Sequence, residues 1–206
     1  MLLAIDTSGG TSVAIVDLDR GVIAEHSSTD PRGHAEAIGK LLRDCLEDWG
    51  GAVTSLSGVA AGMGPGPFTG LRVGIAGARA FAFGIGKPVV PVMSHDAIAY
   101  GSTHPVLVVT DARRREVFWS TYSGTDAAGL PTRTAGPALA PAAELEQHVA
   151  GYAGYQLLDG GLVSAGALGM VAELMYASRR PFAADSAVYL RSPDVTLSAG
   201  PKRVTS

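Results

Sequence analysis

The sequence predicts an α/β fold of two lobes, each a mixed sheet flanked by helices, with the second lobe reduced. Three observations carry that expectation. The first half of the 206 residues reads as β-β-β-α-β-α-β-α. The second half opens, like the first, on a pair of apolar strands around a tight polar turn. It then offers at most two helices where the first half has three. A meander followed by strands that alternate with helices demands a mixed sheet, because tight turns join antiparallel neighbours and helical crossovers join parallel ones. The expected divisions are an N-terminal lobe over residues 1–102, a C-terminal lobe over 103–190 and an irregular tail over 191–206.

Each element has a local reason. Residues 2–5 (LLAI) are an apolar run that enters the turn Asp6-Thr7-Ser8-Gly9-Gly10, a strand and its exit. Residues 11–17 and 21–27 are the next two strands, joined by Asp19-Arg20-Gly21. A helix is expected over 33–49. Ile38, Leu41, Leu42, Cys45, Leu46 and Trp49 recur at helical spacing, and Glu36, Lys40, Arg43, Asp44, Glu47 and Asp48 fill the other side. Residues 56–61 read as the fourth strand and 62–67 (GMGPGP) as a rigid, sharply turning loop. Residues 68–86 form the second helix, 88–92 the fifth strand, and 94–100 the start of a third helix with Ser94 as its N-cap. In the second half, 105–110 and 117–122 are strands. Residues 123–141, rich in Gly, Pro, Ala and Thr, read as loop. A short helix is expected over 142–149, a strand over 155–158 and a helix over 167–179. The order of the first half is the signature of one lobe of the actin-like ATPase (sugar-kinase, ribonuclease H-like) architecture.

Composition narrows the function classes. Small residues dominate: 32 Ala and 27 Gly, against 13 aromatics. At 47% hydrophobic and 17% charged the chain is not a disordered polyelectrolyte. Sixteen Lys and Arg against nineteen Asp and Glu give a net charge of −3, without the basic excess of a protein that holds nucleic acid unaided. The single cysteine, Cys45, can form no intrachain disulfide, and the start MLLAIDTSGG has no signal-peptide pattern, so the cytoplasm is the expected compartment. The uncharged run 49–71 is broken by seven Gly and two Pro and is no membrane span.

Several stretches could carry chemistry. The turn holding Asp6, Thr7, Ser8 and Thr11 is either an anion-binding turn or a plain hairpin that needs Asp, Ser and Gly for its geometry. The stretch GMGPGPFTGLRVG, with Gly64, Gly66, Thr69 and Arg72, is either a ligand loop at the sheet's carboxyl edge or a tight connection without a ligand. Thr69 is its expected cap. It is neither a P-loop nor a dinucleotide fingerprint. Gly70, Gly74, Ala78, Ala82 and Gly86 recur every four residues and make a smooth ridge, which packs either on the chain's own sheet or on a partner helix. The charged turn with Asp111, Arg113 and Glu116 is either a solvated hairpin tip or a contact. Asp159-Gly160-Gly161 follows a strand and is a candidate anion turn of the second lobe. The five histidines are scattered, with no metal-pair spacing, and read as surface or capping residues. No catalytic residue and no metal ligand is expected.

The residues Leu3-Ala4-Ile5-Asp6-Thr7-Ser8 and Gly64 to Gly74 (GPGPFTGLRVG), with Asp111-Ala112-Arg113, Glu116-Val117 and Tyr189-Leu190-Arg191, resemble the TsaB (YeaZ) family across nearly the whole chain. Pro67 departs from the Ser common there, and residues 123–141 and 150–168 match poorly. The resemblance implies the actin-like fold and a non-catalytic role. The family member binds TsaD, the subunit that transfers a threonylcarbamoyl group to N6 of adenosine 37 of tRNA, with the ATPase TsaE as third protein. It implies a homodimer when the chain is alone, tRNA reached only through the complex, and no cofactor of its own, ATP or ADP at the complex interface being left open. The family's contacts run through the first two helices, which here offer Ile38, Leu41, Leu42, Cys45, Gly70, Leu71, Gly74, Ala78 and Ala82. On that expectation Gly74→Leu or Ala78→Leu blocks assembly without unfolding the lobe. The alternatives are an ATP-binding enzyme of the sugar-kinase type, a metal-independent peptidase-like protein, and a homodimeric scaffold with another client.

Overall fold

The structure, a computed structural model, describes residues 1–30 and 33–191. Among these the chain forms two sheets. The first has the strands β1 (Leu2–Asp6), β2 (Thr11–Asp17), β3 (Gly21–Ser28), β4 (Gly58–Gly62) and β5 (Val89–Val92) in the order β3-β2-β1-β4-β5. β1, β2 and β3 are antiparallel, and β1, β4 and β5 are parallel. The helices of this half are α1 (His34–Trp49), α2 (Phe68–Gly84) and α3 (Ser94–Ala99). The second sheet has β6 (Val106–Asp111), β7 (Glu116–Thr125), β8 (Pro131–Pro141) and β9 (Gln156–Asp159) in the order β8-β7-β6-β9. Again the meander is antiparallel and the crossover pair β6–β9 parallel. The second sheet therefore repeats the first up to its fourth strand and stops. The expected fold class is the one observed.

Alternation along the strands divides the first core into two. Leu3, Ile5, Val13, Ile15, Val59 and Ala61 face α1 and α2, where they meet Leu41, Cys45, Leu71, Ile75, Ala78 and Ala82. Leu2, Ala4, Ala14, Val16 and Ala60 face the opposite side and meet α5 (Ala165–Ala177). α5 is thus the last helix in sequence but covers the first sheet. It begins at Ala165, two residues before the expected start, because the Ser164 hydroxyl accepts from Ala167 N at 3.0 Å as its N-cap. The alanines of this face serve a close approach. A β-carbon on Gly169 would lie 2.6 Å from Val16 Cγ2 and 3.2 Å from Ala4 Cβ. Among the described residues the second lobe keeps only the four-residue α4 (Leu145–His148) and short 3-10 turns.

Three expectations are corrected. Residues 123–141 are not loop: β7 runs to Thr125 and β8 spans Pro131–Pro141. β8 is an edge strand with a single neighbour, and there prolines, which have no N–H to donate, are tolerated. Its register against β7 shifts near Gly136, where a β-carbon would lie 2.5 Å from Trp119 O. α2 ends at Gly84, and Gly86 lies beyond it with φ +64°. Ser94 is the first residue of α3 rather than its cap. Met93 holds the cap position, and the Ser94 hydroxyl turns inward to Asp6. The tail expected from Arg191 lies, past Arg191 itself, outside the described residues.

α3 wedges between the lobes on buried polar contacts. His95 Nδ1 meets Ser120 Oγ at 2.8 Å and Nε2 meets Thr110 Oγ1 at 3.0 Å, while Tyr122 donates to Asp96 Oδ1 at 2.7 Å. Burial, with Arg133 as a lesser cause, pushes the His95 pKa down to about 3, so the ring is neutral. Burial raises Asp96, against Arg133 and the Tyr122 bond, and pushes Tyr122 up.

Candidate functional site

The turns and helix ends meet in one cleft of about 620 Å³ between the lobes. The first lobe supplies Ser8, Gly9, Thr29, His34, Pro67, Thr69 and Gly70. The second supplies Thr110, Asp111, Arg113, Asp159, Gly160 and Gly161. Of the residues expected to contact a nucleotide or anion, Ser8, Asp159 and Gly160 line this space, as do Thr69, Asp111 and Arg113. Asp6, Thr7, Thr11, Gly64 and Gly66 stand behind it and hold its walls.

That supporting layer is a hydrogen-bond network. Asp6 Oδ1 accepts from Ser8 N at 2.7 Å and from the Ser8 hydroxyl at 2.5 Å, and Oδ2 accepts from Ser94 at 2.5 Å. Burial raises the Asp6 pKa, and the bonds from Ser8 and Ser94 oppose that rise. A side chain on Gly62 would overlap this carboxylate. Thr7 donates to Gly70 O at 2.7 Å and so ties the β1–β2 turn to α2. Gly64, at φ +95°, donates its N–H to Ser94 Oγ at 3.0 Å. A β-carbon on Gly66 would lie 2.8 Å from Ser8 Cβ.

The two lobes touch at the head of the cleft. A β-carbon on Gly9 would lie 2.7 Å from Gly161 O. The repeated topology also identifies the second-lobe counterpart of the β1–β2 turn. It is the β6–β7 turn at Asp111–Glu116, while Asp159-Gly160-Gly161, the candidate anion turn, follows the parallel strand β9. In the β6–β7 turn Arg113, Arg114 and Arg115 all hold positive φ, at 65°, 54° and 65°. Asp111 Oδ1 accepts from Arg113 N at 2.8 Å, and Arg191 donates to Ala112 O at 2.8 Å and lies 3.7 Å from Glu116.

The small-residue ridge of α2 faces inward, which corrects the expectation of a partner surface. Gly70, Gly74, Ala78 and Ala82 are buried in the chain itself, as are Leu71, Leu41 and Cys45. Ile38 and Leu42 are half-buried. The reason is the β1–β2 turn: a β-carbon on Gly70 would lie 2.6 Å from Thr7 O, and one on Gly74 would overlap the Thr7 hydroxyl. Gly74→Leu and Ala78→Leu therefore strike the core. Thr69 is not the cap of α2 either; Pro67 occupies that position and has no hydroxyl to offer. Arg72 turns back, its guanidinium 3.8 Å over the Phe68 ring and its Nε 3.4 Å from Tyr189 OH.

Sequence reasoning missed His34 and Thr29 on the cleft wall. His34 is only 8% exposed, its Nδ1 2.9 Å from Thr11 Oγ1. Its place at the start of α1, beside a hydroxyl-bearing strand, is the one signal that could have found it. Among the described residues no three His, Cys, Asp or Glu side chains group as a metal ion would need, and no helix is long and apolar enough to cross a membrane.

The profile of the family described as "TsaD: tRNA N6-adenosine threonylcarbamoyltransferase" matches residues 14–165. The chain is 35% identical over 127 residues to the tRNA threonylcarbamoyladenosine biosynthesis protein TsaB of Escherichia coli, covering 59% of this chain and 54% of that one. The chain belongs to the TsaD family, in its TsaB/YeaZ branch. YeaZ from Pseudomonas aeruginosa superposes with a TM-score of 0.74 at 27% identity, over 92% of this chain and 99% of that one. An uncharacterized protein of Mycobacterium tuberculosis is 42% identical over 147 residues, 70% of this chain and 67% of its own. The match thus spans about half the length of the Escherichia coli TsaB. The described residues of the cleft carry hydroxyls, two carboxylates and glycine turns.

Proposed function

We propose that this TsaB/YeaZ chain acts in formation of threonylcarbamoyladenosine in tRNA as a non-catalytic partner of TsaD. In this reading TsaD transfers the threonylcarbamoyl group to N6 of adenosine 37, TsaE joins the pair, and tRNA is held mainly by the partners. The observation that supports it most is the outward face of α2. Val73, Ala76, Gly77, Ala80 and Phe83 form a stripe without charge, and Phe83 is 90% exposed. The only charges of this helix are drawn off it, Arg72 to Phe68 and Tyr189 and Arg79 to Asp185 at 2.8 Å. Ile38 lies against Gly77, so the half-buried Ile38 and Leu42 of α1 continue the stripe. An exposed aromatic beside a smooth, uncharged helix face suits a helical partner. An interface of ordinary size would bury on the order of 1,200–2,000 Å² in total. The same face serves the homodimer when the chain is alone. ATP or ADP, in this reading, belongs to the junction with TsaD.

The test is capture of TsaD on co-expression with the tagged chain. Phe83→Asp should abolish capture while the melting temperature stays at the wild-type value, since the side chain contributes almost nothing to the chain's own core. Phe83→Leu should retain it. Capture of TsaD by Phe83→Asp at wild-type affinity would refute the assignment of the face.

A further inference from the structure

A second groove, of about 410 Å³, is lined by α3, α5, the β7–β8 connection and the start of β8. It shares no lining residue with the cleft that holds Ser8 and Asp159. Burial orders its walls. Leu130 and Val171 are buried and form the floor, while Thr132, Arg180 and Pro181 are exposed and form the mouth. Met175 and Pro131, both half-buried, line the space between. The body of the groove is therefore apolar.

Three charged side chains border it, and two of them satisfy each other. Asp126 Oδ1 accepts from Ala128 N at 2.8 Å and from Leu130 N at 3.0 Å, and its Oδ2 accepts from Arg180 at 2.8 Å. Asp96 differs. Its side chain is 19% exposed, less than that of Asp126 or Arg180. Its Oδ1 accepts from Tyr122 at 2.7 Å. Arg133 Nε stands 3.7 Å from that same oxygen, beyond hydrogen-bond range, so it supplies charge from one side but no bond. Oδ2 has no donor among the described residues. A carboxylate oxygen beside an apolar floor is partly desolvated, and a donor that reaches it is held more strongly than in open water. A positively charged donor serves it best.

We propose that this groove binds a small primary amine with an apolar body. The ammonium donates to Asp96 Oδ2, and the body lies on Leu130, Val171 and Met175. Asp126 does not compete for the ammonium, because both of its oxygens are taken. The volume of about 410 Å³ stands at the small end of ligand sites, which suits one ring on a short stem. The site is separate from the outward face of α2, and it stands whether or not that face binds TsaD.

The test uses the full chain with labelled Leu, Val and Met methyl groups, titrated with phenethylamine. Its controls are phenethyl alcohol, which has the same shape without the charge, and 3-phenylpropionate, which reverses the charge. Phenethylamine should move the Leu130, Val171 and Met175 methyl resonances saturably. The alcohol should bind more weakly by about ten-fold or more, the worth of a hydrogen bond to a charged group. The propionate should leave the three resonances in place. Asp96→Asn keeps an acceptor for Tyr122 but loses the charge, and amine and alcohol should then bind alike. Met175→Trp fills the groove and leaves Asp96 in place; it should abolish binding of the amine. No saturable shift in the wild-type chain overturns the site, as does equal affinity for amine and alcohol. An undiminished preference in Asp96→Asn, or wild-type affinity in Met175→Trp, overturns the assigned contacts. Nα-acetyl-lysine amide offers the same ammonium as a protein side chain would; if it binds more tightly than phenethylamine, the occupant is a protein segment and the ligand class proposed here is wrong.

Discussion

Gly74→Ala should destabilise the first lobe, although it adds one methyl group to a helix that would otherwise welcome it. A β-carbon at Gly74 falls on the Thr7 hydroxyl and 2.9 Å from its Cγ2. Thr7 is buried between the β1–β2 turn and α2, so it can yield only by rotating and breaking its 2.7 Å bond to Gly70 O. Overpacking of this kind costs about 1–3 kcal/mol. A buried donor left unpaired, here the Thr7 hydroxyl, costs about 1–3 kcal/mol more. Replacing Gly by Ala inside a helix returns about 1 kcal/mol. The net loss is about 3 kcal/mol, which in a chain of this size lowers the melting temperature by roughly 6–12 °C. Gly84→Ala is the matched control. It lies in the same helix, and a β-carbon there meets nothing within 4 Å. It should stabilise by about 0.5 kcal/mol. Urea unfolding of both variants reads the contrast. A Gly74→Ala protein as stable as the wild type would show that the ridge does not seat on Thr7, and the inward assignment of this helix face would fall.

Other perturbations follow from single sites. His95 is neutral in the fold, with its pKa pushed from 6.5 down to about 3. Below pH 6.5 the unfolded chain therefore binds a proton that the fold does not, and stability falls by about 1.4 kcal/mol per pH unit until pH nears 3. His95→Gln should remove that slope from urea titrations run between pH 6.5 and about 5. Cys45 is buried and its thiol is pushed up to about 11 by desolvation. It should resist a thiol reagent at mildly alkaline pH and react at once in denaturant. Arg115 holds φ +65° at an exposed turn. A left-handed residue other than glycine costs about 1–2 kcal/mol, of which glycine's greater unfolded freedom takes back about 0.5–1. Arg115→Gly should thus raise the unfolding free energy by about 0.5–1 kcal/mol.

The meander and its crossovers were legible because Leu3 and Ile5, Val13 and Ile15 alternate with residues of the other face, and that period of two leaves no freedom in which side is which. β8 was illegible for the same physical reason that it exists: an edge strand tolerates the prolines and glycines that mark loops elsewhere. On α2 the period of four identified a smooth stripe but not its direction. Two stripes were available, and the one with the smaller residues went inside because the β1–β2 turn crosses there with no room for a side chain. The cleft was half legible. Ser8, Asp111 and Asp159 announced themselves as turn residues. His34 and His95 did not, since their partners Thr11, Ser120 and Thr110 lie 15 to 25 residues away.

One helix now serves three surfaces, and that constrains how they can act on one another. The N-terminus of α2 borders the cleft, its inner stripe seats on Thr7, and its outer stripe ends at the exposed Phe83. A ligand in the cleft can change partner affinity only if it binds two arrangements of this helix unequally. The seat of Gly70 and Gly74 on the β1–β2 turn leaves no second register, because the residues one position along, Leu71 and Ile75, already fill the core. The lobes are also pinned together by α3, whose His95 and Asp96 bond across to β6 and β7. Coupling between distant sites needs an element with two discrete packings, and the tight seat of Gly70 and Gly74 on Thr7 opposes a second one for α2. Occupancy of the cleft and pairing at the outer stripe should therefore be energetically independent within this chain, so that any dependence of the assembled complex on a ligand arises in the partner.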